Sequence, residues 1–401
     1  MRATADSVRA VNRLTSRWAA TAGPDDTVFS ATGVWPLLAR LADAADGPAR
    51  AELEDAVGMR GDHAADAARR LLAALATVRG SRSAIGLWVR RVLPLRPEWT
   101  AGVPADCLSV LSGDSDSDRR TLDTWASENT DGLIRSMPIK LDDAVLLVLA
   151  AAQVVRLKWL RPFRDSGMTP ETGPWQGREL LALCRSTSLL DRIGVAGTDH
   201  GPLTVLKVLG DTGVDVHLLL GAPDMAPGDV LQAGIGTLTG TYRIVPGDRL
   251  PFGGPGPGLT VGTVRSRTPD PTLAVLTSPF RLSADHDLLH RPALFGLSTA
   301  MDGSHGHFPR MSAAPLAVAS ARQSATAVFD AEGFEAASVT AIGAMVGGLG
   351  PPPRHTTKYI EAEFDRPFGF LAVHRTSRLV LTAGWVAEPT PCPEFDSEPA
   401  S

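Results

Sequence analysis

The side chains of this sequence that could carry out chemistry by themselves are few and scattered. His305 and His307 stand two positions apart in the segment SHGHF, a spacing that could chelate a metal ion. No cysteine or acidic cluster accompanies them, so an exposed turn without a metal is expected. No G-x-S-x-G nucleophile elbow occurs, and the nine histidines define no Ser/His/Asp set. These observations predict a protein that is not an enzyme and that needs no cofactor.

A loop near the C-terminus has the composition of a segment that another protein could act on. Residues 343–354 read GAMVGGLGPPPR, follow a run of small residues and precede two apolar strands. Glycine and proline exclude regular structure there, and a long exposed loop in a compact domain is usually functional or disordered. A second Gly/Pro segment, residues 252–258, lacks the Lys and Ser/Thr of a phosphate-binding loop, which indicates a plain turn.

The elements that would carry this loop change type along the chain. Apolar residues recur with helical spacing along residues 8–18, 34–44, 64–78 and 119–134. Later segments are typical of strands: residues 145–157, 203–208, 214–220, 273–282, 325–329, 368–373 and 379–386. Helices first and strands later predict an α+β domain with antiparallel or mixed sheets.

The composition limits the classes of partner. The chain has 401 residues, 44% of them hydrophobic and 21% charged, with a net charge of −5. Without a basic field, nucleic acid is not expected as a partner, and no apolar stretch is long enough to span a membrane. The scattered Cys107, Cys184 and Cys392 predict reduced thiols. The first twenty residues do not resemble a signal peptide, so a cytoplasmic monomer is expected, or an extracellular one if the start is misassigned.

Three C-terminal segments resemble motifs of the serpin family. Residues 329–341 read FDAEGFEAASVTA, like the serpin hinge of an acidic residue, Gly, Thr, Glu and a run of alanines ending in Thr-Ala. Residues 364–371, FDRPFGFL, and 381–389, LTAGWVAEP, are similar to the two strands that follow the loop in serpins.

Upstream segments match the family in the same order. Residues 28–33 (VFSATG), 122–134 (LDTWASENTDGLI) and 148–163 (VLAAAQVVRLKWLRPF) resemble serpin segments, and the matches span about residues 8–389. The resemblance implies an α+β serpin-like single domain over residues 1–389. That domain would have three β-sheets, surrounding helices and an exposed reactive-centre loop at about residues 333–363. Residues 390–401 would form a disordered tail.

The resemblance also implies a mechanism and the residues that serve it. A serine-type protease would attack the loop as a substrate, and the cut loop would insert as a new strand into the central sheet. The implied sheet-opening region comprises Ser30, Trp159 and Gln323. The implied hinge comprises Gly333, Phe334, Glu335, Ala336, Ala337, Ser338, Val339 and Thr340. In an inserted strand Phe334 would share one face with the smaller Ala336, Ser338 and Thr340.

Several bonds could be the one that the protease cuts. In inhibitory serpins the scissile bond follows the fourteenth residue after the hinge glycine, which implies Gly347–Gly348 here. Met345 would suit an elastase-like or subtilisin-like protease. The loop is longer than is common in the family. If the extra length precedes the bond, Arg354 or Lys358 would suit a trypsin-like protease.

Departures from the family pattern leave a second function open. Phe334 stands where inhibitory serpins have Thr or Ser, and a ring entering a close-packed sheet costs about 1–3 kcal/mol unless a pocket awaits it. On that argument Phe334→Thr would improve protease trapping, and the alternative is a non-inhibitory serpin acting as a binding or structural protein. Gly33 and Ala151 also replace a Ser and an Asn of the family's polar cluster below the central strands.

Overall fold

The helices of the computed structural model, which describes residues 5–103, 107–137, 139, 146–334 and 353–392, are concentrated in the first third of the chain. They are α1 (Ala5–Ala19), α2 (Ala31–Ala44), α3 (Gly47–Val57), α4 (Gly61–Leu75), α5 (Pro97–Thr100), α6 (Ser115–Asn129), α7 (Pro227–Thr239) and α8 (Pro292–Phe295). Helix α2 is buried almost all round, and the Ser30 side chain caps its first turn by accepting from the Gly33 N–H.

The strands fill most of the remaining chain. They are β1 (Thr27–Phe29), β2 (Ser81–Arg90), β3 (Leu108–Leu111), β4 (Leu147–Val155), β5 (Leu157–Lys158), β6 (Arg164–Met168), β7 (Leu180–Thr187), β8 (Ile193–Thr198), β9 (Gly201–Leu209), β10 (Val214–Leu220), β11 (Ile244–Pro246), β12 (Leu259–Ser266), β13 (Thr272–Thr277), β14 (Phe280–Asp287), β15 (Ser320–Phe329), β16 (Gly333–Phe334), β17 (His355–Phe364), β18 (Phe368–His374) and β19 (Val380–Val386).

These strands form three sheets, which confirms the predicted α+β class and the three sheets that the resemblance implies. The central sheet has the order β3-β2-β4-β15-β14, with β5 continuing β4 and the short β16 beside the end of β15. The second sheet has the order β1-β19-β18-β10-β9-β8-β11, and the third has the order β12-β17-β13-β7-β6. Strand β4 pairs with β15 in parallel and with β2 in antiparallel orientation, so the central sheet is mixed.

Both faces of the central sheet are covered where the predicted loop would insert. On one face Phe280 stacks on Phe329 at 5.2 Å between ring centroids and lies 4.8 Å from Phe370 of the second sheet. On the other face α6 packs over the buried side chains of Val148, Ala150 and Ala152. Because both faces are apolar, β4 is buried along its whole length, as the continuous apolar run in its sequence predicts.

Three predicted boundaries differ from the structure. Residues 273–282 form two strands in different sheets, β13 and β14, separated by Ser278 and Pro279. The predicted tail is ordered at its start, because Leu181 donates to the Thr390 carbonyl at 3.0 Å and Cys392 donates to the Glu179 carbonyl at 3.2 Å. The predicted reactive-centre loop also ends too late, since its last nine residues lie in β17.

None of the helices in the described residues is long and apolar enough to cross a membrane. No group of three or more His, Cys, Asp or Glu side chains that could hold a metal ion occurs within the described ranges. The rings of His305 and His307 lie 6.4 Å apart.

Candidate functional site

The middle of the central sheet is closed where the resemblance places the insertion gap. Strands β4 and β15 pair directly, from Ser320 opposite Val148 to Ala325 opposite Gln153. Parallel pairing is slightly less stable per residue than antiparallel pairing. The side chains at this seam are mostly small. They include Ala150, Ala151, Ala152, Ala321, Ser324 and Ala325. Over this stretch the structure is therefore the form without an inserted loop.

The upper end of the same seam is already occupied by the hinge. Strand β16 lies between β5 and β15, with Gly333 opposite Lys158 and Phe334 opposite both Leu157 and Phe329. A Cβ on Gly333 would lie 2.2 Å from the Leu157 carbonyl oxygen, so a larger residue could not pass this point without a shift of the backbone. The first two hinge residues have thus entered the sheet before any cleavage.

The Phe334 ring lies in a pocket of the hydrophobic core. It is 2% exposed, and its centroid is 6.0 Å from that of Phe370 in β18. Phe334 faces the core, as the alternation argument predicts. The predicted steric cost at the first step of insertion is wrong, because the ring is accommodated before insertion begins. The argument that Phe334 makes the protein non-inhibitory loses its basis.

Trp159 holds the turn that leads into the hinge. Its indole Nε1 donates to the Asp330 carbonyl at 2.9 Å, and its backbone N–H donates to the Glu332 carbonyl at 3.0 Å. Its ring lies 4.9 Å from that of Phe329. The tryptophan therefore binds both β15 and the turn and fixes the angle at which the chain enters β16.

Asp330 is a site residue that the sequence did not reveal. One carboxylate oxygen accepts from the backbone N–H groups of Glu332 and Gly333, both at 2.9 Å. Burial raises the pKa of this carboxyl above its usual range, and the nearby Glu332 adds to the shift. Burial likewise raises the pKa of Asp165, again with a contribution from Glu332. The hinge turn is therefore acidic, and burial of the Asp330 and Asp165 carboxyl groups disfavours their charged forms.

Ser30 and Gln323 lock the seam from below. The Ser30 N–H donates to Gln323 Oε1 at 2.9 Å, and Gln323 Nε2 donates to the Ser30 carbonyl at 2.7 Å. The Ser30 hydroxyl donates to the Leu381 carbonyl at 2.6 Å. A Cβ on Gly33 would lie 3.5 Å from both Ala151 and Gln323, so a small side chain at Gly33 would fit. The start of α2 is thereby tied to β15 and to the second sheet.

The remaining loop candidates divide into two groups. Outside the described residues lie Glu335, Ala336, Ala337, Ser338, Val339, Thr340, Met345, Gly347 and Gly348. Arg354, one of the two described residues before β17, is exposed, and its backbone N–H donates to the Ser266 carbonyl at 3.0 Å. Lys358 lies in β17 and pairs with Thr263 of β12, and its Nζ donates to the carbonyls of Asp248 and Leu250 at 3.0 and 2.7 Å. A paired strand does not offer the extended free backbone that a protease needs, so Lys358 does not fit a scissile position.

Similar solved structures share this architecture over nearly the whole chain. Human thyroxine-binding globulin complexed with thyroxine matches with a TM-score of 0.72 and 16% identity, over 97% of this chain and 99% of that one. Native protease nexin-1 with heparin matches with a TM-score of 0.71 and 15% identity, over 96% and 98%. A serpin from the trematode Schistosoma haematobium matches with a TM-score of 0.67 and 14% identity, over 96% and 100%. At these identities the matches establish the fold.

Membership of a family is established by the sequence. A search of curated proteins finds no significant match. The family model described as "Serpin (serine protease inhibitor)" matches residues 9–172 and 267–389, well over half of the chain. Together with the three sheets, the hinge beside β15 and the structural matches, this shows that the chain belongs to the serpin family and has the serpin fold.

Proposed function

We propose that this serpin inhibits a serine-type endopeptidase by inserting its cleaved loop between β4 and β15. The observation that carries the proposal is the position of β16. The hinge already continues the strand position that an inserted loop would take, while the seam below it is still closed. Cleavage would free the residues after Phe334 to extend that strand, pairing with β4 on one side and β15 on the other.

The energetics favour this step. The direct pairing of β4 with β15 is one ladder of six residue pairs over the described residues, and an inserted strand would replace it with two ladders. Each added backbone hydrogen bond contributes about 0.5–1.5 kcal/mol. The residues that would face the core after Phe334 are the smaller Ala336, Ser338 and Thr340, so they demand less space than the ring already accommodated.

Similarity to serpin structures does not by itself imply inhibition of a protease. One of the similar proteins, thyroxine-binding globulin, was solved in complex with the small molecule thyroxine. Inhibition by the present chain therefore has to be tested directly. The non-inhibitory alternative now has no support from Phe334, because its ring is buried in a formed pocket. The pre-inserted hinge favours the inhibitory function.

For the cut itself we propose the bond after Gly347, with Met345 and Arg354 as further candidates. All three precede β17, whose backbone pairs with β12 from His355 and also with β13 from Tyr359. The partner would then be an elastase-like or subtilisin-like protease, or a trypsin-like one if Arg354 is used.

The test is incubation with trypsin-like, elastase-like and subtilisin-like proteases, followed by denaturing gels and mass analysis of the released fragment. We expect an SDS-stable complex with at least one protease and a fragment that begins between residues 346 and 355. The matched control is the double variant Ala152→Cys/Ser324→Cys, whose two positions are direct partners across the seam. Once oxidised, it should be cut at the same bond without forming the complex. Cleavage without a complex by every protease, in the unmodified chain, would contradict the proposal.

A further inference from the structure

Strand β12 covers the outer edge of β17, the strand that follows the predicted loop. The two strands are antiparallel and pair along the whole of β12, with Ser266 opposite His355 at the end nearest the loop. The other neighbour of β17, β13, pairs with it from Tyr359 onwards. Within the sheet, residues 355–358 are therefore held by β12 alone. The family model leaves out residues 173–266, which contain all of β12, so this cover is not part of the family match.

Further hydrogen bonds strengthen the contact between the two strands at the end nearest the loop. The Arg354 backbone N–H donates to the Ser266 carbonyl at 3.0 Å. Arg265 donates from Nη2 to the Pro353 carbonyl at 3.3 Å. The Lys358 Nζ donates to two carbonyls of the segment before β12, at 2.7 and 3.0 Å. The segment that contains β12 therefore holds the chain from the last described residues of the loop into β17.

The direction of the backbone groups in β12 follows from a contact on its outer side. The Gly253 N–H donates to the Val261 carbonyl at 2.8 Å, and the Val261 N–H donates to the Gly253 carbonyl at 2.7 Å. Because backbone groups of successive residues in a strand point to opposite neighbours, the N–H of Thr263 also points outward. The N–H of Val264 points toward β17, where this residue lies opposite Thr357.

The number of residues in the loop limits how far it could insert without a cut. Phe334 lies opposite Phe329 on an antiparallel strand. A strand inserted as far as Ser320, the last residue of β15 that pairs with β4, would therefore end at residue 343. Residues 344–352, fully extended, span about 30 Å, which is the length of strand that they must run back along. An intact loop therefore cannot fill the seam unless the start of β17 leaves its sheet.

We propose that β12 is a clamp that keeps the intact loop out of the seam until a protease cuts it. The inference rests on the function proposed above, because it concerns the control of the same insertion. In the uncut chain, full insertion must first break the pairing of β17 with β12. A cut before β17 separates the inserting residues from the clamped strand, so insertion no longer requires β17 to move. The clamp thereby preserves the form that a protease can cut.

Two proline substitutions in β12, followed in the intact full-length chain during prolonged incubation, test the clamp. Val264→Pro removes an N–H that points toward β17, whereas Thr263→Pro removes one that points away from it. The readouts are the resistance of the loop to protease, the melting temperature and the mass of the chain, which shows that it is uncut. Val264→Pro should convert to a resistant form with a higher melting temperature at least tenfold faster than the unmodified chain. Thr263→Pro should behave like the unmodified chain.

A cross-link separates loss of the clamp from general destabilisation. Arg265 and Thr356 are direct partners across β12 and β17, and both are exposed. In the Val264→Pro background, oxidised Arg265→Cys/Thr356→Cys should stop the conversion, and reduction should restore it. Conversion that continues in the oxidised variant would overturn the proposal. If Val264→Pro fails to fold, Lys358→Met decides, because it removes the two Nζ hydrogen bonds and should speed the conversion at least threefold.

The unmodified chain after cleavage separates a failure of the clamp from a failure of insertion. If its melting temperature rises on cleavage but the intact Val264→Pro chain never converts, insertion occurs and the clamp is overturned. Equal conversion rates for the two proline variants, or conversion of the unmodified chain as fast as that of Val264→Pro, would also overturn the clamp. If the cleaved unmodified chain shows no rise, the proposed function fails, and the clamp that rests on it fails as well.

Discussion

The upper and lower parts of one seam in the central sheet are built differently. In the upper part β16 separates β5 from β15, and a core pocket holds Phe334. In the lower part β4 and β15 pair directly and the bonds between Ser30 and Gln323 tie the sheet to α2. The upper part shows what an inserted strand looks like, whereas the lower part shows what must separate to admit one. Loop insertion in this protein would therefore extend a strand that has already started.

The upper part should depend most on the Phe334 ring. We expect Phe334→Ala to lower the free energy of unfolding by about 3–5 kcal/mol, because it leaves a cavity beside Phe370. Urea denaturation measures this loss. Phe252→Ala is the matched control, since that ring is 67% exposed and its removal should change little. A loss below about 1 kcal/mol for Phe334→Ala would mean that the pocket is not formed in the uncleaved protein.

The burial of the Phe334 ring also reverses the expectation from the sequence that Phe334→Thr improves protease trapping. Because the ring is already buried, threonine removes a stabilising contact and relieves no barrier. Protease trapping should therefore not improve, and the stoichiometry of inhibition, measured with one protease on both variants, checks this. Fewer inhibitor molecules needed per protease after the substitution would restore the steric argument.

Gly333 should be the next most sensitive position. A valine there would bring its Cβ against the Leu157 carbonyl, so we expect the hinge to leave the seam or β5 to shift, at a cost of about 1–3 kcal/mol. Thermal melts measure the cost. Gly23→Ala is the control, because a Cβ on Gly23 meets nothing within 4 Å. If Gly333→Val is as stable as the control, the hinge does not occupy the seam.

In the lower part, we expect the contacts of Gln323 to limit the rate at which β4 and β15 separate. Gln323→Leu leaves the buried N–H and C=O of Ser30 without these two partners, at a cost of about 1–3 kcal/mol. If this loss lowers the barrier to opening of the seam by about 1.4 kcal/mol, a labelled peptide with the sequence of residues 334–346 should be taken up about tenfold faster. Gln176→Leu, an exposed turn substitution, is the control. Unchanged uptake would show that the Ser30–Gln323 contact does not limit opening.

The difference between the upper and lower parts of the seam could be predicted from the sequence only in part. The apolar run of β4 and the limits of β10 follow from composition and periodicity, and the hinge motif locates Gly333. The pocket for Phe334 does not, because Phe370 reaches it from another sheet. Lys358 was misplaced for a similar reason. The first four residues of its strand, from His355 to Lys358, are all polar and resemble a loop until their pairing with β12 is known.

The measurement that tests the central claim most directly is the melting temperature before and after cleavage within residues 335–352. A cut in an ordinary loop leaves stability unchanged or lower, whereas insertion adds a second ladder to the seam. We predict a rise of at least about 5 °C, since the added hydrogen bonds contribute about 0.5–1.5 kcal/mol each. The oxidised Ala152→Cys/Ser324→Cys variant should show no rise, and reduction should restore it. An unchanged or lower melting temperature after cleavage of the unmodified chain would contradict insertion between β4 and β15.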